Sequence, residues 1–121
     1  MPAKVGYLVI DAADPATLAG FWCSLLAVTV DAEIGDGEFL VLSPTDEGLT
    51  VGFQRVTEQK AGKNRLHLDL VVEDLDRATV EIEGLGGRWL EPGLTRELEG
   101  FRWRCMADPE DNEFDIDVLP S

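Results

Sequence analysis

The chain repeats a strand-to-helix unit at an interval of sixty residues. Val5-Gly6-Tyr7-Leu8-Val9-Ile10 leads into Asp14-Pro15 and a helical pattern; Arg65-Leu66-His67-Leu68-Asp69-Leu70-Val71-Val72 leads into Glu73-Asp74-Leu75-Asp76 and another. Tyr7 therefore occupies in the first copy the place that the single histidine, His67, occupies in the second. A helix that follows its strand directly covers one face of a sheet, so the other face needs a second cover or a ligand. Duplication makes that requirement arise twice.

Asp14 reads as an N-cap with Pro15 at the first helical position, where its missing N–H is no loss. Leu18, Phe21, Trp22, Leu25 and Leu26 then form one apolar stripe. Asp74 starts the second helix, with Leu75, Ala78, Ile82 and Leu85 at compatible spacing and Gly86-Gly87 as the stop. Strand-like runs follow each helix: 28–33, 38–42 and 49–54 in the first copy, and 88–91, 101–107 and 112–118 in the second. Gly35-Asp36-Gly37, 43–48, Pro92-Gly93 and Asp108-Pro109 break them. Both halves read β-α-β-β-β. The fold class is α+β: two tandem modules forming a curved mixed sheet around a pocket, in one domain over 1–121, with module one at 1–55, a linker at 56–64 and module two at 65–121.

At 121 residues and 45% hydrophobic content, such a domain buries about two-thirds of its unfolded surface without disulfide or metal. Cys23 falls in a helix pattern and Cys105 in a strand pattern, and both read as reduced, buried thiols. The amino end reads as a strand rather than a leader, nothing approaches the length of a membrane span, and the expected location is cytoplasmic. A net charge of −14 argues against nucleic acid or an anionic membrane as partner. The positive residues Arg55, Lys60, Lys63 and Arg65 gather between the copies and read as a solvated linker.

Alternation assigns the faces of the second module. Leu66, Leu68 and Leu70 face the helix, so His67 and Asp69 face the pocket; Phe114 and Ile116 turn inward, and Glu113, Asp115 and Asp117 turn the opposite way. With a tight connection over 107–112, parity puts Trp103 beside Ile116, Arg104 across from Asp115 and Arg102 across from Asp117. Phe21 and Trp22 belong to the core, whereas Trp89 and Trp103 are candidates for the pocket wall. The stretch from Pro92 to Gly100 is too long for a simple hairpin and reads as a surface loop, with a flap over the cavity as the alternative.

The tandem order, the Phe21-Trp22 pair, the strand Leu66-His67-Leu68-Asp69-Leu70 and the closing Asp108-Pro109-Glu110-Asp111-Asn112-Glu113-Phe114 resemble the vicinal oxygen chelate superfamily. That superfamily includes glyoxalase I, bleomycin-resistance proteins, extradiol dioxygenases, fosfomycin-resistance enzymes and methylmalonyl-CoA epimerase. The resemblance covers essentially the whole chain and is closest to the small glyoxalase-like proteins. Ala27 departs from it, since such proteins usually end the first helix with glycine. By position, the resemblance implies that the residues holding a divalent metal in family enzymes correspond to Tyr7, Gln54, His67 and Asp115, with the repeat pairing Tyr7 with His67 and Gln54 with Asp115. Tyrosine is a poor ligand at neutral pH. No resident cofactor is expected; a divalent metal, if one binds, would use His67, Asp115 and Gln54, with Glu113 or Asp69 rotating in to complete the set.

Beside a structural or regulatory remnant whose cavity is vestigial, two functions stay open on these residues. One is a glyoxalase-like lyase, isomerase or dioxygenase-type enzyme on a small oxygenated substrate, with His67 and Asp115 as the catalytic pair. The other is a non-catalytic protein that sequesters a drug or metabolite, of the bleomycin-resistance type. In both, Tyr7, Gln54, Asp69, Trp89, Trp103, Arg104 and Glu113 are the ligand-binding candidates. The expected ligand is a neutral or cationic aromatic molecule, and the resemblance implies a homodimer.

Overall fold

The computed structural model describes residues 2–121, and the chain divides into two compact units, Met1–Gln59 and Lys60–Ser121. The first unit runs β1 (Leu8–Ala12), α1 (Pro15–Leu26), β2 (Val30–Ile34), β3 (Phe39–Leu42) and β4 (Val51–Arg55). The second runs β5 (Asp69–Val71), α2 (Leu75–Gly84), β6 (Arg88–Trp89), β7 (Arg96–Leu98), β8 (Phe101–Ala107) and β9 (Glu113–Val118). Each unit closes its own mixed sheet, in the order β1-β4-β3-β2 and β5-β9-β8-β6, with β7 also on β8. The first strand lies parallel to the last in both units, and the remaining pairs are antiparallel. No helix among the described residues is long and apolar enough to cross a membrane.

Both helices start where their aspartates place them. The Asp14 carboxylate accepts from the Thr17 amide and hydroxyl, at 3.3 and 2.7 Å, and those bonds hold its carboxyl below the usual range. Asp74 Oδ1 accepts from the Asp76 and Arg77 amides at 2.9 and 3.1 Å, satisfying N–H groups that a helix start leaves without partners. Helix α1 ends on Ala27 at φ 56°, a left-handed conformation that a Cβ disfavours. Leu18, Phe21 and Trp22 are buried with Leu40, Leu42, Val51 and Phe53 of the first sheet. In the second unit Leu75, Ala78 and Ile82 are buried, as are Met106, Phe114 and Ile116 of its sheet. Gly87 lets α2 end against β8: a Cβ there would meet Ile82 Cγ2 at 2.6 Å and the Ala107 carbonyl at 2.8 Å.

Three expectations need correction. The 92–100 segment is not merely a loop, because Arg96–Leu98 forms β7 on β8, in line with the two-residue β6 that pairs farther along the same strand. Strand β5 starts only at Asp69, so His67 lies just ahead of it. The third concerns β8 and β9. Cys105 pairs with Asp115, Arg104 with Ile116, Trp103 with Asp117 and Arg102 with Val118, one residue away from the register expected by parity. The connection Asp108–Asn112 has five residues between the paired ends Ala107 and Glu113. It is closed by Asp108 N–H donating to the Asn112 carbonyl, and by the Asp108 carboxylate accepting from the Glu110 and Asn112 amides. An odd loop in place of an even one sends every side chain of β8 to the other face relative to β9.

Candidate functional site

The register places Glu113, Asp115 and Asp117 on one face of β9, with Phe114 and Ile116 in the core behind them. Cys105 and Trp103 come alongside from β8, and Asp69 from β5 pairs with Asp115. His67, just ahead of β5, sets its Nδ1 2.7 Å from Asp69 Oδ1 and 3.9 Å from Asp115 Oδ2. The result is an imidazole and four carboxyl groups on the sheet face away from α2.

His67, Trp103, Cys105, Glu113 and Asp115 form one end of a cavity of about 420 Å³ that Lys63, Leu90, Glu91 and Arg96 complete, while Asp69 and Asp117 stand outside its lining. The cations in its wall already have partners. Arg96 grips Glu91 through two bonds, Nε to Oε1 at 2.9 Å and Nη2 to Oε2 at 2.5 Å. Lys63 Nζ donates to Glu113 Oε2 at 2.9 Å, while the Asn64 amide donates to Oε1 at 3.1 Å and Lys60 lies 3.5 Å from that same oxygen. Those contacts, the Lys63 bond first, draw the Glu113 carboxyl below its usual range, and Arg96 does the same for Glu91. For Asp115 the balance is reversed: burial first, then the Asp69 carboxylate, raise its carboxyl against the weaker pull of His67 and Lys63. Asp117 is pushed up to about 6 by burial and by the charges of Asp69 and Asp115, and its Oδ1 is buried without a hydrogen-bond partner. The Cys105 thiol is pushed up to about 12, by burial first and then by Asp115 and Glu91. It stays a neutral S–H beside the two carboxylates, not a nucleophilic thiolate.

Arg104 and Trp89 lie on the opposite face. The Arg104 guanidinium reaches α2, donating to Thr79 Oγ1 at 2.8 Å, the Leu75 carbonyl at 3.3 Å and Asp76 Oδ1 at 2.8 Å, and also to Thr95 Oγ1 at 3.0 Å. Its carbon rests 4.3 Å above the Trp89 ring, a cation–π contact. The expected pairing of Arg104 with Asp115 is therefore replaced by a bridge between β8 and α2, and Trp89 serves that bridge rather than the cavity wall. Arg102 pairs with Val118 instead of Asp117.

The first unit shows which residues correspond. Val9 pairs with Gly52 as Asp69 pairs with Asp115, and Asp14 and Asp74 cap the helices five residues after Val9 and Asp69. Tyr7 is thus the counterpart of His67, but the counterpart of Asp115 is Gly52, and Gln54 corresponds to Asp117. Gln54 pairs with Asp11 and Phe39 and is exposed; Tyr7 is exposed ahead of β1. Within the first unit they do not repeat the His67–Asp115 juxtaposition, because Gln54 lies level with Asp11, four residues beyond Tyr7 and about 13 Å along the strand.

Residues 7–116 match the family model described as "Glyoxalase-like domain". The chain belongs to that family and, with it, to the vicinal oxygen chelate superfamily. Its structure resembles a glyoxalase/bleomycin resistance protein/dioxygenase family enzyme from Burkholderia phytofirmans, with 17% identity, TM-score 0.78, and coverage of 97% of this chain and 99% of that one. It also resembles the fosfomycin resistance protein FosX from Listeria monocytogenes, with 14% identity, TM-score 0.75, and coverage of 98% and 94%. A glyoxalase/bleomycin resistance protein/dioxygenase from Nocardioides is similar at 11% identity, TM-score 0.75, with coverage of 100% and 86%. At these identities the likeness establishes the fold. No curated protein sequence matches significantly.

Members of the superfamily often use a divalent metal, and the donor chemistry of the second unit fits one. His67, Asp69 and Asp115 each bring a ligand atom within 4.8 Å of the others, a nitrogen-and-carboxylate set suited to borderline and hard divalent ions. The raised carboxyl of Asp115 marks negative charge that a cation would relieve. His67 and Asp115 would hold the ion, with Asp69 beside them supplying further negative charge; once bound, it would polarise a substrate oxygen as a Lewis acid. Glu113, committed to Lys63 and the Asn64 amide, is not available to complete the set.

Sequence reasoning did not single out Lys63, Glu91, Arg96 or Cys105 as wall residues. Lys63 belonged to a cluster taken for a solvated linker, Arg96 lies in the segment taken for a loop, and Glu91 ends the strand-like run before it. Cys105 would have emerged from the correct register alone, because that register puts it beside Asp115.

Proposed function

We propose that the protein binds a small oxygenated molecule in the second-unit cavity and acts on it as a glyoxalase-like enzyme, with His67 as the proton-transferring group and Asp115 beside it. The observation that carries this reading is the cavity itself. One end is an imidazole against carboxylates, and the wall adds Trp103 and Leu90, the combination of apolar surface and a few orienting polar groups typical of small-molecule sites. A polarised oxygen next to a base of suitable strength is what proton transfer beside a carbonyl requires.

Charge narrows the ligand class. Lys63 and Arg96 are tied to Glu113 and Glu91, so the Asp115 carboxylate leaves the wall net negative. A neutral or cationic ring compound suits such a wall, and phosphorylated or multiply anionic compounds do not. A thermal-shift screen of both classes tests this: neutral and cationic rings should raise the melting temperature of the native protein and lose that effect in His67→Ala and Asp115→Asn. Hits dominated by anions, or hits indifferent to both substitutions, would overturn the reading.

Sequestration without turnover is the second reading, favoured by the first unit carrying Tyr7 and Gly52 where the second carries His67 and Asp115. Mass spectrometry of a hit after prolonged incubation separates the two, since an enzyme returns it altered and a sequestering protein returns it intact. A homodimer completes the proposal, and sedimentation of a monomer at tens of micromolar would refute that part.

A further inference from the structure

His67 lies outside regular structure, just ahead of β5, and 42% of its side chain is exposed. A ring so placed has rotational freedom unless a neighbour holds it. Asp69, two residues on and level with Asp115, is anchored in the parallel ladder of β5 and β9. The ladder continues around it, with the Asp115 amide donating to the Leu68 carbonyl and the Val72 amide to the Asp117 carbonyl, at 2.9 and 2.8 Å. Asp69 Oδ1 meets the ring at Nδ1, at 2.7 Å. Asp115 Oδ2, at 3.9 Å from the same nitrogen, is beyond hydrogen-bond reach.

A carboxylate only accepts hydrogen bonds. A contact of 2.7 Å therefore requires the proton to sit on Nδ1, which leaves Nε2 bare in the neutral ring. We propose that Asp69 is a positioning residue: it fixes His67 in the Nδ1–H tautomer and in one ring orientation, so that Nε2 is the nitrogen offered to a ligand proton or to a cation. This deepens the functional reading, in which His67 transfers the proton, by assigning which nitrogen does so and which residue selects it. It also separates the two neighbouring carboxylates. Asp69 acts on the ring, and Asp115 stands beside it without setting its tautomer.

Because His67 is the only histidine, imidazole nitrogen resonances of the ¹⁵N-labelled chain report on this one ring. In chelator-treated protein without ligand, at a pH of about 9 where an ordinary imidazole is neutral, long-range ¹H–¹⁵N correlation spectra should show a protonated Nδ1 and a bare Nε2. Asp69→Ala should shift the tautomer ratio by roughly tenfold towards Nε2–H, the form an unconstrained imidazole favours in water. Asp69→Glu should restore part of the Nδ1–H population, and Asp115→Asn should leave the native pattern in place. A native protein already in the Nε2–H form overturns the proposal without recourse to any variant. So does an Asp69→Ala protein that keeps the Nδ1–H form, or an Asp115→Asn protein that loses it. The tautomer is read without ligand or turnover, so a failed ligand screen leaves this result standing, and a wrong tautomer leaves the ligand screen standing.

Discussion

The two units share one topology and differ in what they set on the sheet face away from the helix. In the first, Gly52 holds the place of Asp115, and Phe39 the place of Trp103. The Phe39 ring lies over the glycine so closely that a Cβ at 52 would stand 2.9 Å from its Cζ. In the second, a carboxylate stands at that level, and both it and Trp103 line the cavity. The helix-side face differs as well: buried Leu40 in the first unit corresponds to Arg104 in the second. At this level the first unit packs an aromatic ring over its strand, whereas the second carries a carboxylate beside a cavity.

Changes at Arg104, Gly52, Asp117 and Ala27 probe that contrast, from the largest effect to the smallest. Arg104→Ala removes a buried guanidinium that joins β8 to α2, and urea unfolding should show a loss of about 3 kcal/mol. Arg104→Leu, which installs the first unit's residue, should lose markedly less; equal losses would mean that apolar packing does not replace the bridge. Gly52→Ala should lose about 2 kcal/mol by overpacking against Phe39 and the Leu40 carbonyl. Much of that should return in the double variant with Phe39→Ala, and a purely additive double variant would break the idea that Phe39 closes the first face.

Asp117→Asn tests the charged face. A carboxyl raised to about 6 in the folded protein, against roughly 3.9 unfolded, binds more protons folded than unfolded. Its contribution to stability is therefore intact below about pH 4 and is lost as pH rises through 6. Asparagine, which supplies a donor to Asp69 without charge, should be about 1 kcal/mol more stable above pH 7 after allowance for solvent screening, and no more stable at pH 4. Denaturation midpoints at both pH values check the sign. Ala27→Gly, at the left-handed end of α1, should stabilise by about 0.5 kcal/mol, the smallest change of the four.

The sequence carried the helices well because Asp14-Pro15 and Asp74 are local signals, and capping is local chemistry. It carried the alternation of β9 for the same reason, since core residues Phe114 and Ile116 separate its acids. It could not carry the pairing of β8 with β9, which depends on whether the Asp108–Asn112 connection holds an even or odd number of residues. Arg104 hid the error: an arginine in a core position reads as a residue of the polar face until Thr79, Asp76 and the Trp89 ring are seen to receive it. Gln54 was matched to Asp115 by position in the family, whereas hydrogen-bond register matches Asp115 to Gly52. Strand β7 was missed because Arg96, Glu97 and Leu98 are all exposed and carry no alternation. Asp69 was named as a wall residue, but its contact with His67 Nδ1 required coordinates.

The most direct test of the open second face is amide and imidazole mapping of a ring-compound hit on the ¹⁵N-labelled protein. Saturable shifts should concentrate at His67, Trp103, Cys105 and Asp115, with the His67 ring among the largest, and they should vanish in His67→Ala. Saturable shifts centred instead on Phe39 and Gly52, with His67 and Asp115 unmoved, would place the ligand on the packed face of the first unit and would contradict the assignment.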